Sequence, residues 1–406
     1  MSRRNTLELM AACPAAALVM LTMPSATGGN LNGQGFLEVN GSAFIPFGVY
    51  DINSQADAMA TKSAGLNVAE SMLDGIFEWS SEAGLRCLYW MIARTKTDEE
   101  ILRIVEADRD DPLNLAWYTF DEPNEVGVPA SRCEQVYRLL KSNDPERPVV
   151  LTLSPAYWYH PWAYSEYASS CDIIATDPYP VEIGHGISLD YVTECIERAR
   201  KDSGKPVWAV LQAFPWPGKR LPTAQELRCM TYQALVHGAT GVLYYTFQVA
   251  AWNYSLVATP LWGEIGQMAR EIEQLVPVLT TPGPEPVKIS SIHVLERHLN
   301  NTAYLMAVNV APDQAVLELP MSVSAEVDVM FENRTLKVID GLLRDEFGPY
   351  AVRSYRIPEL LGLSAAWIVG ACTSGRLPPR NWAAPLRFSS PKQRNAGKDY
   401  QKMRPS

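Results

Sequence analysis

Eight short apolar segments alternate with amphipathic segments through residues 44–247, and this alternation restricts the fold more than any other feature of the chain. The apolar segments lack polar gaps, as expected of parallel strands that helices cover on both faces. Eight strand–helix units in about 235 residues match the size of a closed (β/α)8 barrel. The predicted strands are residues 44–49, 67–72, 85–92, 115–120, 149–153, 172–176, 207–211 and 242–247.

Amphipathic segments between these strands have the period of α-helices. The last of them has a clear beginning, because Thr223 is a good N-cap and Glu226 stands three residues later, which together form a capping box. A doubly wound open sheet is the competing fold, but no Gly-rich phosphate turn follows the first strand. Helices are predicted at residues 98–107, 131–141, 189–201 and 223–237, among others.

The sequence pattern changes twice after the barrel. Beyond a Pro-Gly-Pro-Glu-Pro segment at residues 282–286, the chain has only β-type segments separated by turn residues. We therefore predict a barrel domain at residues 36–281 and a small antiparallel β-sandwich at residues 287–357. Residues 358–406 are basic and rich in Pro, without sustained periodicity, and we expect them to form a disordered tail.

The amino terminus has the pattern of an export signal. Arg3 and Arg4 precede an apolar stretch, and small residues follow it near Ala26. Residues 1–28 are thus expected to be a signal peptide of a secreted or periplasmic protein. The apolar stretch is shorter than the roughly 20 residues of a membrane span, so no span is predicted. The seven Cys show no disulfide or CxxC pattern and are expected to be buried free thiols.

Composition excludes several classes of function. A net charge of −10 provides no basic surface for nucleic acid. The five His form no HxxxH or HxH pair, so no metal site is expected, and no cofactor is implied. The chain also has no GxSxG elbow of an esterase and no GxxxxGK[ST] phosphate loop.

Polar and acidic residues follow the predicted strands at the point where a barrel carries its chemistry, the carboxyl ends of the strands. Their side chains are expected to converge on one site. They are Tyr50 and Asp51 after the first strand, then Glu70, Arg94, Asp121 with Glu122, Ser154, Asp177, Gln212 and Gln248 after successive strands.

Aromatic residues are concentrated in the segments on the same predicted rim. Exposed rings in a cleft offer flat apolar faces that suit the CH-rich face of a pyranose, although any single ring is more often a packing residue. The predicted carbohydrate-binding aromatic residues are Tyr118, Trp158, Tyr179, Trp216, Tyr245 and Trp252.

The fourth strand ends in Trp117-Tyr-Thr-Phe-Asp-Glu-Pro123, and with the eightfold pattern and the sandwich it resembles the clan A-like superfamily of TIM-barrel glycoside hydrolases. In that superfamily the fourth strand ends in Asn-Glu-Pro, and the resemblance implies that Glu122 is the general acid/base. Asp121 replaces the Asn that binds a sugar hydroxyl. Gln212 occupies the position of the nucleophilic Glu on strand seven, so the standard retaining mechanism does not transfer, and Gln212 is expected to bind substrate or orient a neighbour.

Asp177 offers a second carboxylate, because it ends the sixth strand before a Pro, as Glu122 does in the fourth. Two strand spacings of about 4.8 Å separate their backbones by roughly 10 Å. Side chains that lean inward reduce this to about 6–9 Å, which favours inverting glycosidases (about 6.5–9.5 Å) over retaining ones (about 5–5.5 Å) without excluding the latter. Glu70 is a third candidate, with an orienting role as the alternative.

These features predict a glycoside hydrolase that acts on an oligo- or polysaccharide. Glu122 is the expected general acid, its pKa raised by a partly apolar setting, and Asp177 is the second carboxylate. Two alternatives stay open. One is a catalytically inactive barrel that binds carbohydrate, which the neutral Gln212 motivates, and the other is a transglycosylase that uses the same carboxylates.

Overall fold

The computed structural model describes residues 29–155, 162–184, 186–321 and 326–358. Eight parallel strands form a closed barrel in which each strand pairs with its neighbours in the sequence, and the eighth pairs with the first. The predicted fold class, a (β/α)8 barrel, is confirmed. The barrel strands are Phe47–Val49 (β1), Val68–Ser71 (β2), Arg86–Trp90 (β3), Asn114–Asp121 (β4), Val149–Leu153 (β5), Ile173–Thr176 (β6), Val207–Gln212 (β7) and Ala239–Tyr245 (β8).

Helices surround the barrel and bury their apolar faces against the strands. The predicted capping box is present at helix α8, where the Thr223 hydroxyl accepts from the Glu226 N–H and the Glu226 carboxylate accepts from the Thr223 N–H. The described α-helices are Gln55–Ser63 (α1), Ile76–Ala83 (α2), Asp98–Asp108 (α3), Pro123–Val126 (α4), Ala130–Asn143 (α5), Tyr164–Tyr167 (α6), Tyr191–Ser203 (α7), Ala224–Val236 (α8) and Pro260–Leu279 (α9).

The first predicted strand is two strands in the structure. Ser42–Phe44 belongs to a small antiparallel sheet, and only Phe47–Val49 joins the barrel. Pro46 lies between them and has no N–H to donate to a neighbouring strand, which explains the interruption. Gly48 is required in β1, because a Cβ atom there would lie 2.2 Å from the carbonyl oxygen of Val68.

The small sheet covers the amino-terminal end of the barrel. It comprises Asn30–Leu31, Leu37–Val39 and Ser42–Phe44, and its buried Leu37 joins a cluster of lumen residues that includes Trp208 at the start of β7. The carboxyl ends of the strands lie at the opposite end of the barrel, where the predicted site residues stand.

An antiparallel β-sandwich follows the barrel, as predicted. Six strands form one sheet in the order β9-β10-β11-β16-β13-β14, and β12 pairs with β15 in a second sheet. Leu305, Leu317, Val329, Phe347 and Tyr355 are among the residues of its apolar core. The sequence did not predict β14 or β15. The strands are Val287–Ile289 (β9), Ile292–His298 (β10), Thr302–Asn309 (β11), Ala315–Pro320 (β12), Glu326–Met330 (β13), Arg334–Lys337 (β14), Leu342–Phe347 (β15) and Val352–Pro358 (β16).

Five cysteines in the described part of the chain are buried free thiols, as expected. No helix in these ranges combines the length and the apolar character that a membrane span requires. The predicted signal peptide, residues 359–406 of the predicted tail and Trp158 lie outside the described residues.

Candidate active site

Four carboxyl groups converge at the carboxyl end of the barrel, around the phenol of Tyr245 at the end of β8. Burial raises the pKa of Tyr245, and the charges of Asp51, Asp121, Glu70 and Asp177 raise it further. Asp51 follows β1 and Glu70 lies on β2, whereas Asp121 ends β4 and Asp177 follows β6. The structure therefore brings together acidic residues from four strands that sequence reasoning placed on one rim.

The charge of Asp121 acts on each of the other three acids of this group. Its Oδ1 accepts a hydrogen bond of 2.8 Å from the Tyr118 hydroxyl, whose oxygen in turn accepts one of 3.0 Å from the Thr152 hydroxyl. The charge of Asp121 contributes to the raised pKa values of Asp51 and Asp177. Because Asp121 is only partly buried, water can reach its carboxylate and stabilise the charge.

Asp177 is buried much more deeply, with only 3% of its surface exposed. Burial raises the pKa of Asp177 well above its ordinary value, and the negative charges of Asp121 and Glu125 act in the same direction. A hydrogen bond from the Tyr179 hydroxyl opposes this shift without cancelling it. These surroundings favour the protonated form of the Asp177 carboxyl.

Asp51 and Glu70 are linked to each other. The Glu70 Oε2 atom accepts a 3.1 Å hydrogen bond from the Asp51 N–H, and the Asp51 carboxylate accepts one from the Thr246 hydroxyl. Burial raises the pKa of Asp51 to about 6. Burial also raises the pKa of Glu70 well above its ordinary value, and the charge of Asp51 adds to it.

Glu122 lies at the junction of β4 and α4, where its backbone adopts a left-handed conformation with φ of 47°. Its N–H donates to the Thr152 carbonyl at 2.9 Å, and only 1% of the residue is exposed. Left-handed backbone is uncommon for a residue with a side chain and occurs preferentially at functional sites. The role of Glu122 as the general acid remains a prediction.

Gln212, at the end of β7, uses its amide to bind backbone. The side-chain oxygen accepts from the Val181 N–H at 2.8 Å, and the NH2 group donates to the carbonyls of Val181 at 3.1 Å and Phe214 at 3.2 Å. Both amide protons are therefore used within the protein. This geometry favours the orienting role over substrate contact, because Gln212 holds the segment after β6 against the segment after β7.

A cluster of aromatic rings forms the side of the site that follows β6, β7 and β8. Tyr179 stacks on Tyr245 at 5.9 Å and meets Trp216 edge-on at 6.2 Å, while Phe214 packs against Trp252 at 5.7 Å. Four of these five rings are predicted sugar-binding residues. Phe214 was not predicted, although its position two residues before Trp216 in the same aromatic segment is a usable signal.

The remaining predicted rim residues have other surroundings. Arg94 is exposed, and the Gln248 amide donates to Asp57 at 2.8 Å. The backbone of Ser154 is held by the amide side chain of Asn124, which donates to the Ser154 carbonyl at 3.0 Å. Trp90, at the end of β3, was overlooked as a site residue, yet its ring packs on Tyr118 at 5.9 Å. Alternate side chains of a strand lie on the same face, so Trp90, two residues after the lumen residue Leu88, is expected on the lumen face as well.

The charged groups that raise the pKa values of Asp51, Glu70 and Asp177 are all carboxylates, namely Asp51, Asp121 and Glu125. Among the described residues, no group of three or more His, Cys, Asp or Glu side chains is arranged to hold a metal ion.

Among the solved structures that resemble this one are two β-galactosidases and an α-amylase. A GH42 β-galactosidase from G. stearothermophilus is 8% identical, with a TM-score of 0.60 over 77% of this chain and 98% of that protein. A β-galactosidase from Bacillus circulans sp. alkalophilus is 10% identical, with a TM-score of 0.57 over 77% and 99%. An Anoxybacillus α-amylase is also 10% identical, with a TM-score of 0.52 over 76% and 90%.

No family model and no curated protein matches the sequence. At identities this low, the structural likeness concerns the fold alone. The resemblance of this chain to TIM-barrel glycoside hydrolases is thereby confirmed as a resemblance of fold.

Proposed function

We propose that this protein is a glycoside hydrolase that acts on an oligo- or polysaccharide, with catalytic carboxylates at the ends of β4 and β6. The observation that carries the proposal is the contrast between Asp177 and Asp121. Burial and neighbouring charge raise the pKa of Asp177 well above its ordinary value, whereas Asp121 is only partly buried. Two carboxyl groups whose environments separate their pKa values in this way are suited to act as an acid and a base.

The division of roles follows from this contrast. Asp177 donates its proton to the glycosidic oxygen as the bond to the anomeric carbon breaks. Asp121, positioned by the Tyr118 hydroxyl, stabilises the developing positive charge of the sugar. Its carboxylate then either attacks the anomeric carbon or activates a water molecule that attacks from the opposite face, and the anomer of the product distinguishes the two.

The resemblance to the hydrolase superfamily assigns the acid to Glu122 instead. Glu122 is adjacent to Asp121, so both assignments use the ends of β4 and β6. They differ in which residue at the end of β4 participates and in whether that residue or Asp177 donates the proton. The charge of Asp121 acts on Tyr50, Asp51, Glu70 and Asp177, and this supports Asp121 as the carboxylate nearest the reacting sugar.

Hydrolysis of p-nitrophenyl glycosides of neutral sugars by wild type, D177N, D121N and E122Q tests the proposal. We expect D177N and D121N to lower kcat/KM by about 10²–10⁴, the usual contribution of a positioned acid or base. D177N should lose far less on 2,4-dinitrophenyl glycosides, because that leaving group needs no proton. The exposed Asp110 provides a control, and D110N should retain activity.

The outcomes separate the assignments. If E122Q, and not D177N, loses activity on p-nitrophenyl glycosides but loses far less on 2,4-dinitrophenyl glycosides, Glu122 is the proton donor. Equal losses of D177N on both classes of leaving group would show that Asp177 is not the proton donor. Analysis of products in the presence of acceptor sugars separates hydrolysis from transglycosylation.

A carbohydrate-binding barrel without catalysis is the second candidate. It is favoured by Gln212, a neutral residue whose amide protons are donated to backbone at the position where the superfamily has its nucleophile. Binding of oligosaccharides by wild type, without turnover of any glycoside in the panel, would support this candidate over the hydrolase.

A further inference from the structure

Glu70 carries a carboxyl oxygen that its protein neighbours do not use. Oε2 accepts the hydrogen bond from the Asp51 N–H at 3.1 Å, but Oε1 is buried and has no hydrogen-bond partner among the described residues. Only 1% of Glu70 is exposed. A buried polar atom without a partner is costly in a native protein and calls for an explanation such as a ligand.

Trp90 has an unused group of the opposite kind. Its indole Nε1 is buried and has no acceptor within the described part of the chain. Glu70 on β2 pairs with Leu88 on β3, so Trp90, two residues further along β3, is the diagonal neighbour of Glu70 on the lumen face. The two side chains also share one neighbour, because Trp90 packs on Tyr118 and the charge of Glu70 acts on Tyr118.

The chemistry of the two atoms defines the group that fits them. An indole N–H only donates, and the Glu70 Oε1 atom accepts when it carries no proton, whether the group is ionised or protonated on Oε2. A hydroxyl group both donates and accepts, whereas an ammonium only donates and a carboxylate only accepts. The charges that act on Glu70 come from other carboxylates, Asp51 and Asp121, which disfavours an anionic ligand.

We infer that Glu70 and Trp90 form a hydroxyl-recognition subsite in the lumen, which selects neutral glycosyl units with an unsubstituted hydroxyl at one ring position. Trp90 donates to the hydroxyl oxygen, and the hydroxyl proton is donated to Glu70. The inference rests on the proposed carbohydrate function and adds the class of sugar that the site accepts. It assigns both residues to specificity, apart from the acid and base.

Trp208 provides a matched control for Trp90. Its indole Nε1 is likewise buried and without a partner among the described residues. It lies near the start of β7, where its ring packs against Gly241 at the end of the barrel that the small antiparallel sheet covers. Four residues of strand, about 13 Å, separate it from Gln212 at the carboxyl end.

The test compares the best p-nitrophenyl glycoside of the panel with its 2-, 3-, 4- and 6-deoxy analogues, using kcat/KM of wild type, W90F, E70Q and W208F. In wild type, removal of the recognised hydroxyl should lower kcat/KM by about 100-fold or more, because it leaves two buried polar groups unpaired. W90F should lose about 10- to 100-fold on the parent sugar but less than about threefold on that deoxy analogue.

E70Q tests the acceptor. Its amide oxygen can keep the bond to the Asp51 N–H, which leaves an NH2 group, a donor, where the hydroxyl requires an acceptor. The same loss of discrimination is expected, whereas W208F should discriminate as wild type does. If W90F and E70Q retain the wild-type ratio between parent and deoxy sugar, the subsite does not exist as described.

Failure of the proposed function is recognised separately. If no glycoside is hydrolysed, the methyl glycosides and their deoxy analogues are tested for binding to the same variants by saturation-transfer NMR. Selective binding by wild type and W208F that W90F and E70Q lose would support the subsite in a protein that does not hydrolyse sugars. Equal binding of all analogues, or no binding, would overturn it.

Discussion

Buried carboxyl groups occur in two regions of this molecule, and their partners differ. At the barrel mouth, Asp177 is surrounded by other acids, and burial raises its pKa. In the helix layer, Glu271 of α9 is equally buried, but Arg228 of α8 binds it through two hydrogen bonds of 2.7 and 2.8 Å. Burial also raises the pKa of Glu271, but the hydrogen bonds and the charge of Arg228 outweigh this and leave the pKa below its ordinary value.

The difference separates stability from chemistry. A carboxylate that is paired with a cationic side chain stabilises the folded state at neutral pH, whereas a buried acid among other acids destabilises it. The helix layer surrounds the barrel and contacts the sandwich, so its charges are arranged to hold elements together. The mouth retains an arrangement that costs stability, which is typical of a site that serves a reaction.

The largest effect on stability is expected from R228M. This change leaves Glu271, with 4% of its surface exposed, as a buried charge without its cation. We expect the free energy of unfolding at pH 7 to fall by about 3–5 kcal/mol, measured by urea denaturation. The exposed i,i+4 pair of Arg138 and Glu134 is the control, and R138A should cost less than about 0.5 kcal/mol. Similar losses in both variants would remove the distinction between the two kinds of pair.

A smaller effect of opposite sign is expected from D51N. The folded-state pKa of Asp51 is about 6, above its ordinary value of 3.8, so its ionisation destabilises the fold as the pH rises through about 6. D51N should therefore raise the free energy of unfolding by about 1–2 kcal/mol at pH 8 and by almost nothing below pH 3.8. Urea denaturation at both pH values measures this. D110N should show no such pH dependence, and a loss of stability in D51N at pH 8 would contradict the account.

The smallest effect is expected from E197Q, between the barrel and the sandwich. Glu197 lies 2.9 Å from His237 and from Lys288, and the hydrogen bond with His237 lowers the pKa of Glu197 to about 2. Because 43% of its side chain is exposed, the expected loss is below about 1 kcal/mol at pH 7. This stabilisation is present above the ordinary pKa of 4.5 and is lost as the pH falls towards 2. Wild type and E197Q should therefore have the same free energy of unfolding near pH 2. A difference that persists at pH 2 would exclude Glu197 ionisation as its source.

The fold and the convergence of the site were predictable because both depend on periodic patterns. Eight apolar strands determine a barrel, and the barrel brings its carboxyl ends together, so Asp51, Glu70, Asp121 and Asp177 meet as expected. The exact ends of strands were less predictable. Pro46 divides the first predicted strand, and the eighth begins at Ala239, three residues earlier than predicted.

Other features depend on contacts that no local pattern contains. β15 was missed because Asp345 occupies an inward position of its alternation, where Arg334 and Tyr355 hydrogen-bond to it. The hydrogen bonds of the Gln212 side chain with the backbone of Val181 join residues 31 positions apart. The difference in burial between Asp121 and Asp177 likewise depends on how the fold covers each carboxyl, which spacing along the chain does not determine.

Infrared difference spectroscopy between wild type and D177N at pH 7 tests the central claim most directly, because it observes the protonation state of this one carboxyl group. Asp51 and Glu70 are common to both proteins and cancel in the difference. We expect wild type to have the carbonyl stretch of a protonated carboxylic acid that D177N lacks, because burial and neighbouring charge raise the pKa of Asp177 well above its ordinary value. A difference spectrum at pH 7 with the bands of an ionised carboxylate would show that Asp177 has no proton to donate.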